Sequence, residues 1–138
     1  MATPIILDTC AVIWKADEAR LLPAAEEALA EAYLNKAGIY ISPITAWEIG
    51  LLMARGRLIS AMAPRAWFER VMSFPGVRLA GMSADTLIAS SFLPGDPPKD
   101  PADRIIAATA REHGYTLITR DRPLLAYADK GHVQALGC

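Results

Sequence analysis

The sequence predicts an α/β fold with a central parallel sheet flanked by helices, and three observations predict it. Short apolar runs of β-forming residues recur at Ile5-Ile6-Leu7, Ile39-Tyr40-Ile41, Val77-Arg78-Leu79-Ala80 and Tyr115-Thr116-Leu117-Ile118. Runs this short and this apolar suit strands buried on both faces. Longer stretches of helical composition separate them, and strands alternating with helices argue for parallel pairing. Proline and glycine mostly fall at the joints between these segments, where they stop one element and start the next. The 138 residues make one domain's length, 1–138, enough to bury a real core.

Each element follows in order. Ile5-Ile6-Leu7 is the first strand, and Asp8 ends it. Thr9 to Lys15 is a short apolar helix broken at Asp17, and Pro23 opens an alanine- and glutamate-rich helix that Gly38 stops. The second strand, Ile39 to Ile41, runs into Ser42-Pro43, an N-cap followed by a first-turn proline. That helix reaches about Arg55. Ala63 to Ser73 is helical, stopped by Pro75-Gly76, and Val77 to Ala80 is the third strand. Ser83 caps a short helix ending near Phe92, and the proline-rich Leu93 to Lys99 is a loop. Asp100-Pro101 opens a helix through His113, closed by Gly114. The fourth strand, Tyr115 to Ile118, ends at Thr119-Arg120-Asp121; Pro123 to Asp129 is a last helix and Val133-Gln134-Ala135 an edge strand.

Composition excludes several classes. The net charge is −1 with 21% charged residues, so the chain is neither a basic nucleic-acid coat nor an acidic tail. A polyanion would have to be met by local cations or a metal ion. Ten of the 14 cationic residues are arginine, which suits phosphate and is also what a GC-rich genome produces. The two cysteines, Cys10 and Cys138, form no disulfide framework and no metal-ligand spacing, and Cys10 reads as a small packing residue. Met1-Ala2-Thr3-Pro4 lacks the features of a signal peptide, and no stretch approaches the roughly 20 apolar residues of a membrane helix. The expectation is a reducing, cytoplasmic setting with no membrane partner.

Four acids occupy places that need a reason. Asp8 and Asp121 follow strands, at the carboxyl rim where open α/β sheets bind ligands. Glu48 falls on the helical face that carries Ile44, Trp47, Leu51 and Leu52, a stripe expected to be core. Asp103 shares a face with Ile106, Ala107 and Ala110, and Asp100 already serves as the cap of that helix. Singly, each has a structural explanation as a cap, a first-turn acid or a rim residue. Together they imply clustered carboxylates, which repel and raise each other's pKa unless a cation joins them. Oxygen ligands with no His or Cys nearby select Mg²⁺ or Mn²⁺ over zinc. Such an ion activates water and screens a phosphodiester. Lys99, Arg104, Arg120 and Arg122 flank the acids and are candidates to hold the polyanion.

At these positions the chain resembles the PIN-domain ribonucleases, and among them the VapC-type toxins of toxin-antitoxin pairs. The resemblance is carried by Ile6-Leu7-Asp8-Thr9, Ser42-Pro43-Ile44-Thr45-Ala46-Trp47-Glu48, Asp100 through Ala110 and Leu117-Ile118-Thr119-Arg120-Asp121, in family order across almost the whole chain. It implies a single PIN domain of three α/β/α layers. It implies an acidic quartet of Asp8, Glu48, Asp103 and Asp121. Asp8 and Asp103 would bind Mg²⁺ directly, and Asp121 and Glu48 would act through water or orient it. Thr9 and Thr119 would be supporting hydroxyls; Asp100 matches an acid of the toxin subfamily and reads first as a cap. The implied activity is endoribonuclease cleavage of structured RNA, a tRNA or rRNA. The implied partners are a second copy of the chain and a VapB-like antitoxin that covers the groove and binds operator DNA.

Rivals fail on their own motifs or make different demands. A haloacid-dehalogenase phosphatase wants a second aspartate two residues after the first, where this chain has Cys10. A receiver domain wants a lysine ending a late strand, and Leu117-Ile118-Thr119-Arg120 offers none. A non-catalytic interaction module would use the acids as caps and present Trp67, Phe68, Val71 and Met72 as its binding face.

Overall fold

Residue alternation within three-residue strands divides this protein into two cores. In the computed structural model, which describes residues 3–138, the first strand β1 (Ile5–Leu7) is buried along its whole length. Ile5 and Leu7 point into one core and Ile6 into the other. The same split holds in β2 (Ile39–Ile41), where Tyr40 faces away from Ile39 and Ile41, and in β4 (Thr116–Thr119), where Leu117 and Ile118 part company. The central strands are accordingly rich in apolar residues, because both faces of the sheet are covered.

With β3 (Val77–Leu79) and β5 (Gln134–Gly137) these strands form a parallel sheet in the order β3-β2-β1-β4-β5. One core packs α1 (Thr9–Ala16), α2 (Pro23–Leu34) and α4 (Pro64–Met72) against the sheet. The other packs α6 (Pro101–His113) and α7 (Arg122–Asp129), with α5 (Ala84–Ser90) lying on α6. The result is an α/β/α sandwich. α3 (Pro43–Ala54) touches both cores, Ile49 in the first and Ile44 at the margin of the second.

The elements follow the order read from the sequence, and local chemistry explains their limits. Ser42 and Asp100 cap α3 and α6 ahead of first-turn prolines, and Gly114 closes α6 at φ 70° in the left-handed region. β4 begins one residue later than expected, and Tyr115 just before it stacks on Tyr40, with ring centroids 4.5 Å apart. β5 likewise starts one residue later and runs to Gly137, paired with β4. The Met1-Ala2 part of the argument against a leader lies outside the described residues. Among the described residues no helix is long and apolar enough to cross a membrane.

Two expectations need correction. The stripe Ile44-Trp47-Leu51-Leu52 is not the buried face of α3: Trp47 is 56% exposed, and the buried residues are Thr45 and Ile49. The helix is apolar on most of its circumference, so periodicity gave it no direction. Cys10 is exposed rather than packed. The face proposed for an interaction module is also largely interior: Trp67 and Val71 are 6% and 3% exposed, and Phe68 and Met72 pack beside them.

Candidate active site

The chain leaves the sheet centre in two directions. From β1 it passes to β2 on one side, while β4 occupies the other. A crevice opens at the carboxyl ends of strands where the order reverses this way. Asp8 follows β1 there, and Thr119 ends β4 beside it. The fully buried Thr119 hydroxyl donates to Asp8 Oδ2 and accepts the Asp121 backbone N–H at 2.9 Å. One hydroxyl thus fixes the two strand-end acids relative to each other. Asp8 is 3% exposed; its Oδ1 accepts the Ala11 N–H at 2.8 Å and caps α1. Asp121 caps α7 by accepting the Leu124 N–H at 3.0 Å. Both acids serve as caps and still have lone pairs to spare.

Glu48 approaches Asp8 from α3. Thr9 Oγ1 donates to Glu48 Oε1, and Thr9 Oγ1 lies 3.0 Å from Thr45 Oγ1. A hydroxyl has one proton. Since Thr9 gives its proton to Glu48, Thr45 must be the donor to Thr9. Thr45, fully buried one helical turn before Glu48, was not singled out from the sequence. A polar residue sharing the inward face of Glu48 was the available signal. Thr45→Val keeps the shape and removes the donor. It is expected to cost about 1 kcal/mol, a fall of roughly 3–5 °C in Tm, with Thr45→Ser restoring most of it. A thermal melt in which the valine variant is as stable as wild type would show that the hydroxyl chain holds nothing.

Asp103 lies in the first turn of α6, its backbone N–H given to the cap, Asp100 Oδ1, at 3.0 Å. Its own carboxylate takes no side-chain hydrogen bond or ion pair among the described residues. Burial, then the charges of Asp100, Asp121, Asp8 and Glu48, push its pKa up to about 7. Asp8 is raised by burial, against the hydrogen bonds from Thr119 and Ala11 and with help from Asp121. Glu48 is raised by burial, against the bond from Thr9 and with help from Asp100 and Asp8. The Cys10 thiol, pushed up to about 11, feels first the partial desolvation of its sulfur, although the residue is exposed, and then Asp8, Glu48, Asp103 and Asp121. The four acids therefore share one electrostatic neighbourhood.

None of the four acids has an ion-pair partner among the described residues. The ion pairs of the described residues, Lys15–Glu26 and Glu112–His113, involve none of the four. Nor do the acids close into a ligand set: among the described residues no three His, Cys, Asp or Glu side chains are grouped to hold one metal ion. The donors themselves, all carboxylate oxygen, still suit a hard divalent cation.

Of the four flanking cations, Lys99 and Arg122 are exposed and Arg104 is partly buried. Arg120 has partners within the fold. Its Nε donates to the Cys138 carbonyl, and its guanidinium sits 3.7 Å from the centroid of the Trp14 ring, a cation–π contact that ties β4 to α1.

The sequence matches the PIN domain family over residues 5–130. The chain belongs to the PIN-domain family. This PIN-domain protein is related to VapC-type toxins of type II toxin-antitoxin systems. It is similar to ribonuclease VapC22 of Mycobacterium tuberculosis, 32% identical over 126 residues that cover 91% of this chain and 92% of that protein. In fold it resembles a chain of the DNA-bound VapBC of Salmonella typhimurium, with TM-score 0.64 at 19% identity over 99% and 98% of the two chains. It also resembles a chain of VapBC2 of Rickettsia felis bound to promoter DNA, with TM-score 0.64 at 14% identity over 97% and 98%.

Proposed function

We propose that this PIN-domain protein is a Mg²⁺-dependent endoribonuclease and the toxin of a toxin-antitoxin pair, with Mn²⁺ as an alternative ion. The observation that carries the reading is the mutual electrostatic influence of Asp8, Glu48, Asp103 and Asp121 near the switch point of a parallel sheet, with none of them in an ion pair among the described residues. Asp8, Asp103 and Asp121 would hold the ion, and Asp100 stays the cap of α6. A bound divalent ion supplies an activated water and screens the phosphodiester from the surrounding carboxylates. The chain's own residues do the rest. Thr119 fixes Asp8 and Asp121 to each other, while Thr45 and Thr9 aim Glu48 to orient the attacking water.

The substrate in this reading is structured RNA, a tRNA or rRNA, approached by Lys99, Arg104 and Arg122. The solved VapBC relatives, two of them on DNA, support a VapB-like antitoxin as partner. A homodimer acting in the cytoplasm completes the proposal. The rival module loses its binding face to the core, since Trp67 and Val71 are interior. The test is incubation of the purified protein with total RNA in Mg²⁺ and again in EDTA. Discrete cleavage in Mg²⁺ that EDTA abolishes is the expected result; equal cleavage in both, or none, overturns the reading.

A further inference from the structure

We infer that a cavity beside the acids seats a nucleotide of the RNA strand next to the scissile phosphate, with Lys99 and Lys130 holding its phosphate. This rests on the nuclease reading and names a substrate-binding site within it. The cavity, of about 380 Å³, lies between α7 and the loop that precedes α6. That volume is within the roughly 300–1,000 Å³ of small-ligand sites.

Its charge is arranged along α7. Asp121 caps the start of that helix and Lys130 caps its end, about 13 Å apart at the helical rise. Asp96, Asp100 and Asp103 join Asp121 among the lining residues, and Lys99 joins Lys130. Neither lysine has an ion-pair partner among the described residues, although carboxylates line the same cavity. A lysine at a helix C-terminus suits the helix dipole, but that explains Lys130 alone and leaves Lys99 unexplained. A strand whose scissile phosphate lies at Asp103 and Asp121 would run along α7 and meet the Lys130 ammonium at its far end, with Lys99 on the facing loop.

The cavity is also stiff and partly apolar, as a base or ribose requires. Pro97 and Pro98 belong to its wall, and proline fixes the backbone there. The hydroxyl of the buried Tyr127 donates to the Pro94 carbonyl and ties the loop to α7. The seat therefore exists before the ligand arrives.

The experiment uses a fluorescein-labelled single-stranded oligoribonucleotide of mixed sequence, followed by anisotropy in EDTA over a range of salt. Lys130→Ala and Lys99→Ala are each expected to weaken binding about 5- to 20-fold and to reduce the salt slope by about 0.7. Lys130→Arg should retain affinity. Arg65→Ala, an exposed cation on α4 in the opposite layer, should match wild type. In Mg²⁺ the lysine variants should raise KM and leave kcat near wild type. Wild-type affinity and salt slope in both alanine variants overturn the cavity assignment while cleavage by the parent protein stands. Absence of Mg²⁺-dependent cleavage in the parent removes the nuclease reading, and the anisotropy series still decides whether the cavity binds RNA.

Discussion

Asp103→Asn is expected to lower Mg²⁺-dependent RNA cleavage by about 100-fold or more and, in the same protein, to raise the Tm of the metal-free form. The two effects come from one charge. Asp103 is the acid with the least structural employment: its carboxylate caps nothing, while Asp100 takes the Asp103 N–H. Its pKa near 7 records burial and the repulsion of four neighbouring acids. A neutral amide of the same shape relieves that repulsion, for a gain of roughly 2–5 °C. It also removes an anionic oxygen that a divalent ion needs.

Asp8→Asn is a poorer test of the same idea. Asp8 Oδ1 caps α1 and Oδ2 accepts from Thr119, so an amide NH₂ turned toward that hydroxyl sets donor against donor. Loss of activity there would mix chemistry with structure. For Asp103 the two separate. Single-turnover cleavage and calorimetry in EDTA on one preparation give both numbers. Cleavage at the wild-type rate would take Asp103 out of the site, and a lower melting temperature would make it a structural residue.

Much of this site was legible from the sequence because the information is local. An acid after a short apolar run lies at the rim of a sheet, and the parallel topology does the rest; Asp8 and Asp121 required no more. Asp100 was readable as a cap from the proline behind it, which isolated Asp103. The direction of α3 was not legible. Its residues are apolar on most sides, so Ile44, Trp47, Leu51 and Leu52 looked like core when Thr45 and Ile49 are buried instead. Thr45 was missed for that reason. The contacts of Arg120 were not legible, because its partners, Trp14 and the Cys138 carbonyl, come from elements far apart in the chain.

The acids should also give the metal-free protein an unusual dependence on pH. Folding raises the Asp103 carboxyl to about 7 from an ordinary 3.8, and it raises Asp8 and Glu48 in the same direction. The folded state therefore binds these protons more readily than the unfolded chain. Their stabilising contribution is fully present below the ordinary aspartate range and is lost as pH rises through 7. Glu26 works the other way, lowered by the Leu21 N–H and Lys15, but its contribution is lost only as the solution becomes acid. Between pH 5 and 8 the raised group decides the slope. The loss is on the order of 1–2 kcal/mol after solvent screening, or roughly 3–8 °C in Tm. Mg²⁺ should act most where the carboxylates are ionised, because it binds only the folded, deprotonated site. Melting curves in EDTA and in Mg²⁺ should then coincide near pH 5 and separate by pH 8, and Asp103→Asn should flatten the EDTA series. Curves that stay parallel across the range would mean that protons and Mg²⁺ do not compete for the same carboxylates.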